Sequence, residues 1–396
     1  MAELDSRRRH LGRKATTSMA WAGEMRWWAA LAVAAVGVVL AGCTPPPSCI
    51  GAGAIPRTGG SGSEQDISLT SSPQVARLAR EFAPTVEMST LDRFWPVSVA
   101  SVLSERDPYG DHVSLVSGGV TVTDHATLAD LNSTASDNSY LNFPAGLADK
   151  SGQMGAFLRG IGVPESAIAD WPKDLAPVRK AAERTGEIYF YDAGTGCSYG
   201  GQRTQGYRAL QYWFYYALNY YPMTVDTPTM LSDPLAADGS DVDLHEGDWE
   251  HVTVLVEQEG SGYVPKFVWM ARHASEGVLI PWDQVTQDPA GHPVVYPAFG
   301  GHPSYPSCGA HARATLAASV YDYVVCGRGL FTFSGASTKL VDLARVGWSC
   351  WPGHFGTTMG TTGSDNADDP TGQFLVGGPR SPLRQAENSN VCKRNK

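Results

Sequence analysis

The sequence predicts a mostly β fold, an antiparallel β-sandwich with a few short peripheral helices. Three observations predict it. Gly (43) and Pro (26) are abundant in a chain of 396 residues and supply many turns. The 11 Trp, 16 Tyr and 12 Phe fall in short runs with β-branched residues, the composition of strands. Those runs are separated by Gly/Pro turns and not by long helical stretches, which favours stacked sheets over a parallel sheet with crossover helices. There is no internal repeat. The chain is 42% hydrophobic and 18% charged, values of a globular protein. Its net charge is −10, and six basic residues lie within 1–42, so the remainder is more acidic still; this argues against a nucleic-acid partner.

In chain order, Arg7, Arg8, Arg9, Arg13, Lys14 and Arg26 precede a charge-free run from Trp27 to Gly42. That run is short for a spanning helix, which needs about 20 apolar residues, and suits an export signal. It ends in Leu40-Ala41-Gly42-Cys43, which resembles the lipobox of bacterial lipoproteins. The resemblance implies a diacylglyceryl group on Cys43, cleavage before it, and attachment to the membrane on its extracytoplasmic face, with release as a secreted protein as the other outcome. An uncleaved single-pass anchor is the alternative. Residues 1–43 are thus expected to be a signal peptide and 44–72 a flexible Pro/Gly/Ser-rich tether, opening with Thr44-Pro45-Pro46-Pro47-Ser48; a single β-sandwich domain is expected over 73–396. Setting Cys43 aside leaves Cys49, Cys197, Cys308, Cys326, Cys350 and Cys392, an even number of disulfide candidates in an oxidising compartment. No pair has Cys-x-x-Cys spacing, and the connectivity cannot be read from the sequence.

Within the domain, Val75, Leu78, Ala79 and Phe82 recur at helical spacing after Pro73, and Pro84 ends the turn. Val113, Leu115, Val120 and Val122 alternate as strands do, and a Ser/Asn/Asp-rich loop follows at 132–139. A second helix is expected at Leu175–Arg184. Strands are then expected at Ile188–Tyr191, Ala209–Leu218, His251–Val256, Val264–Ala271, Val294–Phe299, Val320–Cys326 and Leu330–Phe333.

The densest chemistry lies at Asp238, Asp241, Asp243, Glu246, Asp248 and Glu250, six carboxylates with no Lys or Arg among them. Like charges so close repel, and a divalent metal is the economical neutraliser. In a strand beginning at Asp248, Asp248 and Glu250 share a face with Val252, Val254 and Val256, while Trp249, His251 and Thr253 face the other way. His245, in the loop before that strand, is expected to turn back toward the pair and complete a His/Asp/Glu metal set. A solvated acidic loop is the plainer reading, above all for Asp241, Asp243 and Glu246. His273 and His302 sit at strand ends, the latter in Gly300-Gly301-His302-Pro303-Ser304-Tyr305-Pro306, and are candidate pocket residues. The zinc-protease helix motif, the Gly-x-Ser-x-Gly elbow and a phosphate-binding Gly-Lys-Ser/Thr loop are absent.

Leu210-Gln211-Tyr212-Trp213-Phe214-Tyr215-Tyr216, His245-Glu246-Gly247-Asp248-Trp249-Glu250-His251-Val252-Thr253, Pro293-Val294-Val295-Tyr296 and Gly301-His302-Pro303-Ser304-Tyr305-Pro306 resemble, in order and spacing, the vacuolar protein sorting-associated protein 62 family, shared with a plant domain of unknown function. Phe82-Ala83-Pro84, Asp92-Arg93-Phe94-Trp95-Pro96-Val97-Ser98-Val99, Gly353-His354-Phe355-Gly356 and Gly378-Pro379-Arg380-Ser381-Pro382 extend the likeness over roughly 75–385. It raises His273 and His302, whose counterparts are part of the family pattern; Pro303 departs from that pattern's alanine. More distantly, His245-x-x-Asp248-Trp249-Glu250 is similar to the His-Arg-His-Asp-Trp-Glu word of necrosis- and ethylene-inducing peptide-like proteins, secreted β-sandwich cytolysins whose divalent metal engages sphingolipid sugar headgroups. This likeness implies His245, Asp248 and Glu250 as metal ligands, with Asp238 for the remaining aspartate. The second histidine of that word is Gly247 here, which puts shared toxicity in doubt.

The function expected is binding without turnover. A divalent metal, Mg²⁺ or Ca²⁺ by the hardness of the ligands and Zn²⁺ or Mn²⁺ if several histidines converge, would contact a glycan or lipid headgroup, with Trp213, Trp249 or Trp282 against sugar rings. The alternatives are a metal-dependent hydrolase of phosphoester or glycan substrates, with Glu250 or His302 as general base, and a purely structural metal in a surface interaction protein.

Overall fold

The computed structural model describes residues 49, 63–89, 92, 94–104, 112–134, 136–143, 186–222, 242–272, 276–312, 321–326, 330–335, 337–356 and 378–387, all within the compact unit Cys43–Lys396. Cys43, the helix expected at Leu175–Arg184, Asp238, Asp241, His273 and Cys392 lie outside the described residues.

The fold starts ahead of Pro73. Helix α1 (Ile67–Thr70) is capped by the Asp66 side chain, and Ile67 is fully buried. The Asp66 carboxylate also pairs with Arg80 at 2.6 Å, Glu64 is buried, and Asp66 bridges Val341. Cys49 is bonded to Cys350. The expected tether 44–72 is therefore corrected: its described residues are fixed to the domain by burial, ion pairing and a disulfide. Helix α2 (Pro73–Glu81) follows the predicted spacing, with Ser72 accepting from the Val75 amide, Pro73 in the first turn, and Ala76, Leu78 and Ala79 buried.

Next come β1 (Thr85–Ser89), α3 (Val99–Ser104), β2 (Ser114–Ser117), β3 (Val120–Thr123), α4 (Leu128–Ser133) and β4 (Ser139–Asn142). Gly118 and Gly119, both at positive φ, make the two-residue β2–β3 turn. Val120 and Val122 alternate as predicted but point to solvent. The expected 132–139 loop begins later than its first residues, because a Thr127/Asp130 capping box starts α4 and carries it through Ser133.

The remaining elements are β5 (Ile188–Gly194), β6 (Arg208–Pro222), β7 (Val242–Glu259), β8 (Gly262–Arg272), β9 (Glu276–Pro281), β10 (Val294–Pro297), β11 (Ser304–Tyr305), β12 (Gly309–Ala312), β13 (Tyr321–Val324), β14 (Leu330–Ser334), β15 (Leu340–Asp342) and α5 (Pro382–Glu387). A six-stranded sheet runs β15-β5-β6-β7-β8-β9 and a four-stranded one β11-β10-β1-β14, with smaller sheets β3-β2-β4 and β12-β13. The fold is mostly β and predominantly antiparallel, as predicted. The exceptions are β1 with β10 and β5 with β15, parallel pairs between strands distant in sequence.

Leu210 through Tyr216 on β6 are all inaccessible, so the large sheet is covered on both faces. On one face Tyr212 donates to the Ala79 carbonyl of α2, and β11 lies against β7 and β8. On the other, Trp249 and Tyr215 pack with Trp348 and Phe355, which follow β15. Cys308 is bonded to Cys326, and Cys197 is also disulfide-bonded. Such bonds fit a chain folded in an oxidising, extracytoplasmic compartment.

Candidate functional site

Strand β7 starts six residues before Asp248, so His245 is a strand residue opposite Asn219 and does not lie in a preceding loop. The long pairing with β6, continuous in register from Arg208↔Val256 to Pro222↔Val242, explains the difference: the acidic segment meets the aromatic run of β6 and extends the ladder. Beyond Gly247 the predicted alternation holds. Asp248 lies opposite Tyr216 and Glu250 opposite Phe214 on one face, whereas Trp249 packs on Tyr215 and His251 stacks on Trp213 at 4.4 Å on the other. Burial pushes the His251 imidazole down to about 3, so it is neutral. Trp213 and Trp249 are buried on that opposite face, which removes both as partners for a sugar ring.

On the Asp248 face stands His302, carried by the turn between β10 and β11. Its ring is inaccessible and stacks flat on Tyr216, with centroids 3.9 Å apart and planes at 3°. Its Nδ1 lies 2.9 Å from Oδ2 of Asp248 and its Nε2 3.6 Å from Oδ1 of Asp92. Burial alone would push the imidazole down, but the carboxylates of Asp92 and Asp248 outweigh it and hold it up to about 9, so it is cationic at neutral pH. Asp92 is in turn bonded by the Phe94 amide at 3.1 Å and the Gly300 amide at 2.9 Å.

The Tyr216 hydroxyl is buried and has no hydrogen-bond partner among the described residues. Burial first, and then the negative potential of Asp248, Glu250 and Asp92, push its pKa well above the ordinary phenol value. It is therefore a neutral hydroxyl in the field of three carboxylates.

His245 is buried, with Nδ1 2.7 Å from the Gly247 carbonyl oxygen, an arrangement that makes Nδ1 the donor to that carbonyl. The Asp248 side chain is one-tenth exposed, and its hydrogen bond uses Oδ2 alone. In donor chemistry His245 and Asp248 thus suit a cation. Among the described residues, however, no three His, Cys, Asp or Glu side chains are gathered as metal ligands. The described structure joins Asp248 to His302 and Asp92, and ties His245 to its own strand. Of the pair His273 and His302, His302 lies against Asp248, and His273 is outside the described residues. The sequence reading missed Asp92 as a site residue, although the word Asp92-Arg93-Phe94-Trp95-Pro96 belongs to the resemblance quoted above.

No protein-family model matches the chain, so the resemblance to the vacuolar protein sorting-associated protein 62 family rests on the quoted words alone. No curated protein matches it either. Two similar solved structures are necrosis and ethylene inducing protein 2 from the causal agent of cocoa's witches' broom disease and the non-toxic HaNLP3 protein. The first is 12% identical, with a TM-score of 0.29 over 72% of this chain and 84% of that one. The second is 12% identical, with a TM-score of 0.29 over 70% and 79%. Both are of the group that the His-x-x-Asp-Trp-Glu word resembles, and at this score they share little detailed backbone path with the present chain.

Proposed function

We propose that this is an extracytoplasmic surface protein that binds a glycan or lipid headgroup through a divalent cation held at Asp248, with Glu250, His245 and Asp238 as its other candidate ligands. The observation that carries the reading is the Tyr216 hydroxyl, buried and unpartnered among the described residues, in the field of Asp92, Asp248 and Glu250. A neutral donor beside clustered carboxylates is suited to water or a ligand hydroxyl bound next to a cation. Oxygen ligands favour Mg²⁺ or Ca²⁺, and His245 would draw Zn²⁺ or Mn²⁺. When bound, the ion would supply coordination to hydroxyl or phosphate oxygens. Asp248 orients it, Tyr216 donates beside it, and the aromatic layer beneath excludes water from the base of the site. Attachment through a lipidated Cys43 belongs to the same proposal and would place the site at a cell surface.

The test is calorimetric titration of the chain with Ca²⁺, Mg²⁺, Mn²⁺ and Zn²⁺, followed by glycan-array and lipid-vesicle binding with and without chelator. Saturable cation binding that Asp248→Ala abolishes, and headgroup binding lost on chelation, are expected. Unchanged metal uptake by Asp248→Ala would end the reading.

A further inference from the structure

We propose that Asp92 and His302 form a relay that positions the Asp248 carboxylate, so that Oδ2 is fixed and Oδ1 is presented to whatever Asp248 binds; this rests on the reading of Asp248 as a cation ligand. The geometry is over-determined. Among the described residues His302 is the non-glycine residue at positive φ, +61°, a conformation that a β-carbon disfavours and that persists only where surrounding contacts hold it. Those contacts come from four directions. The His302 amide donates to the Ala298 carbonyl at 3.0 Å, closing the turn. Tyr216 lies flat beneath the ring, and since Tyr216 is the cross-strand partner of Asp248, ring and carboxylate are registered on one surface. Nδ1 reaches Asp248 at hydrogen-bond distance. Nε2 faces Asp92 at 3.6 Å, an ion-pair separation longer than a hydrogen bond.

Asp92 has a second task. Its Oδ2 accepts from the Gly300 amide, so one carboxylate holds both the ring and the turn that carries it. Gly300 is itself at φ +77°, so the turn adopts two left-handed residues within three positions, and Asp92 ties it from a segment 208 residues away in sequence. Such a chain, carboxylate to imidazole to carboxylate, leaves the last carboxylate little rotational freedom. Asp92 and His302 act through Asp248 and are positioning residues.

The experiment titrates the full-length chain and its variants with Ca²⁺ by calorimetry and with Mn²⁺ by electron paramagnetic resonance, alongside thermal unfolding. Asp92→Asn keeps one acceptor oxygen, for either the Phe94 or the Gly300 amide, and removes the charge behind the imidazole. His302→Asn keeps an N–H donor near the Nδ1 position and tolerates positive φ, whereas His302→Ala has no donor. The relay predicts a loss of cation affinity of about tenfold or more in Asp92→Asn and His302→Ala, the scale of outer-shell substitutions, and binding close to wild type in His302→Asn. It also predicts an altered Mn²⁺ spectrum in Asp92→Asn, read at a temperature where the unfolding curve shows that variant to be folded. Wild-type affinity and spectrum in Asp92→Asn, with binding lost in Asp248→Asn, would overturn the relay and leave the cation reading standing. Absence of binding to the wild-type chain would remove both. Should Asp92→Asn fail to fold, the contrast between His302→Asn and His302→Ala decides: equal affinities would defeat the relay.

Discussion

Glu64 is a buried carboxyl whose Oε1 accepts from the Tyr189 hydroxyl at 2.7 Å and whose Oε2 accepts from the Ala100 amide at 3.2 Å. Burial, and next the Glu187 carboxylate, raise its pKa to about 7, against the pull of Tyr189, Ala100 and Lys339. A raised carboxyl pKa means that the folded state binds the proton more tightly than the unfolded one, so this group favours folding below pH ~4.5 and its contribution is lost as pH rises through about 7. A shift from 4.5 to about 7 corresponds to about 3 kcal/mol. Urea unfolding at pH 5 and pH 8 should show wild-type stability falling between the two, and a smaller fall in Glu64→Gln. Equal falls in both would rule out Glu64 as the source. At this scale the sequence shows residue type and local spacing, which is how Asp248, Glu250 and His302 were legible. Asp92 and Glu64 were not, because their partners lie far along the chain and each sits in a word with no metal or catalytic spacing of its own.

Strand β7 shows what local pattern misses in an element. Period-two alternation located its Asp248–Val256 part, where one face is apolar. Its first residues carry Asp243, Glu246 and Gly247, which strands normally avoid, and cross-strand pairing with β6 overrides that preference. Gly247 marks the seam. It has φ +66°, and a β-carbon there would run into the Phe355 carbonyl oxygen. Any side chain at this position would meet the backbone of Phe355. Gly247→Ala should cost about 2–4 kcal/mol, combining the left-handed penalty with backbone displacement, and a denaturation midpoint equal to wild type would contradict this. Strand β15 went unrecognised because it depends on pairing to β5, remote in sequence, whereas β9 and β11 pair with the strands just before them, β8 and β10, and carry too little periodic pattern of their own.

At the scale of the whole molecule, turn-rich, aromatic-rich composition was enough to give the fold class, and the boundary of the domain was not. Nothing in the Gly/Ser-rich composition around Ile67 announces that it is inaccessible in the core, or that Cys49 would choose Cys350 across 301 residues. Closing so long a loop restricts the unfolded chain strongly, and replacing the pair by serine should lower unfolding free energy by about 2–5 kcal/mol, read from denaturant titration of oxidised protein. No change on replacement would show that the bond spans segments already held by other contacts.

That bond also sets a leash. Only six peptide steps separate Cys43 from Cys49, a reach of about 20 Å at full extension, whereas without the bond the next residue described against the domain is Ser63. With an acylated Cys43, the body of the protein would ride close against the lipid headgroups as long as the bond is oxidised, and cutting it with a reductant would let the domain stand off from the bilayer.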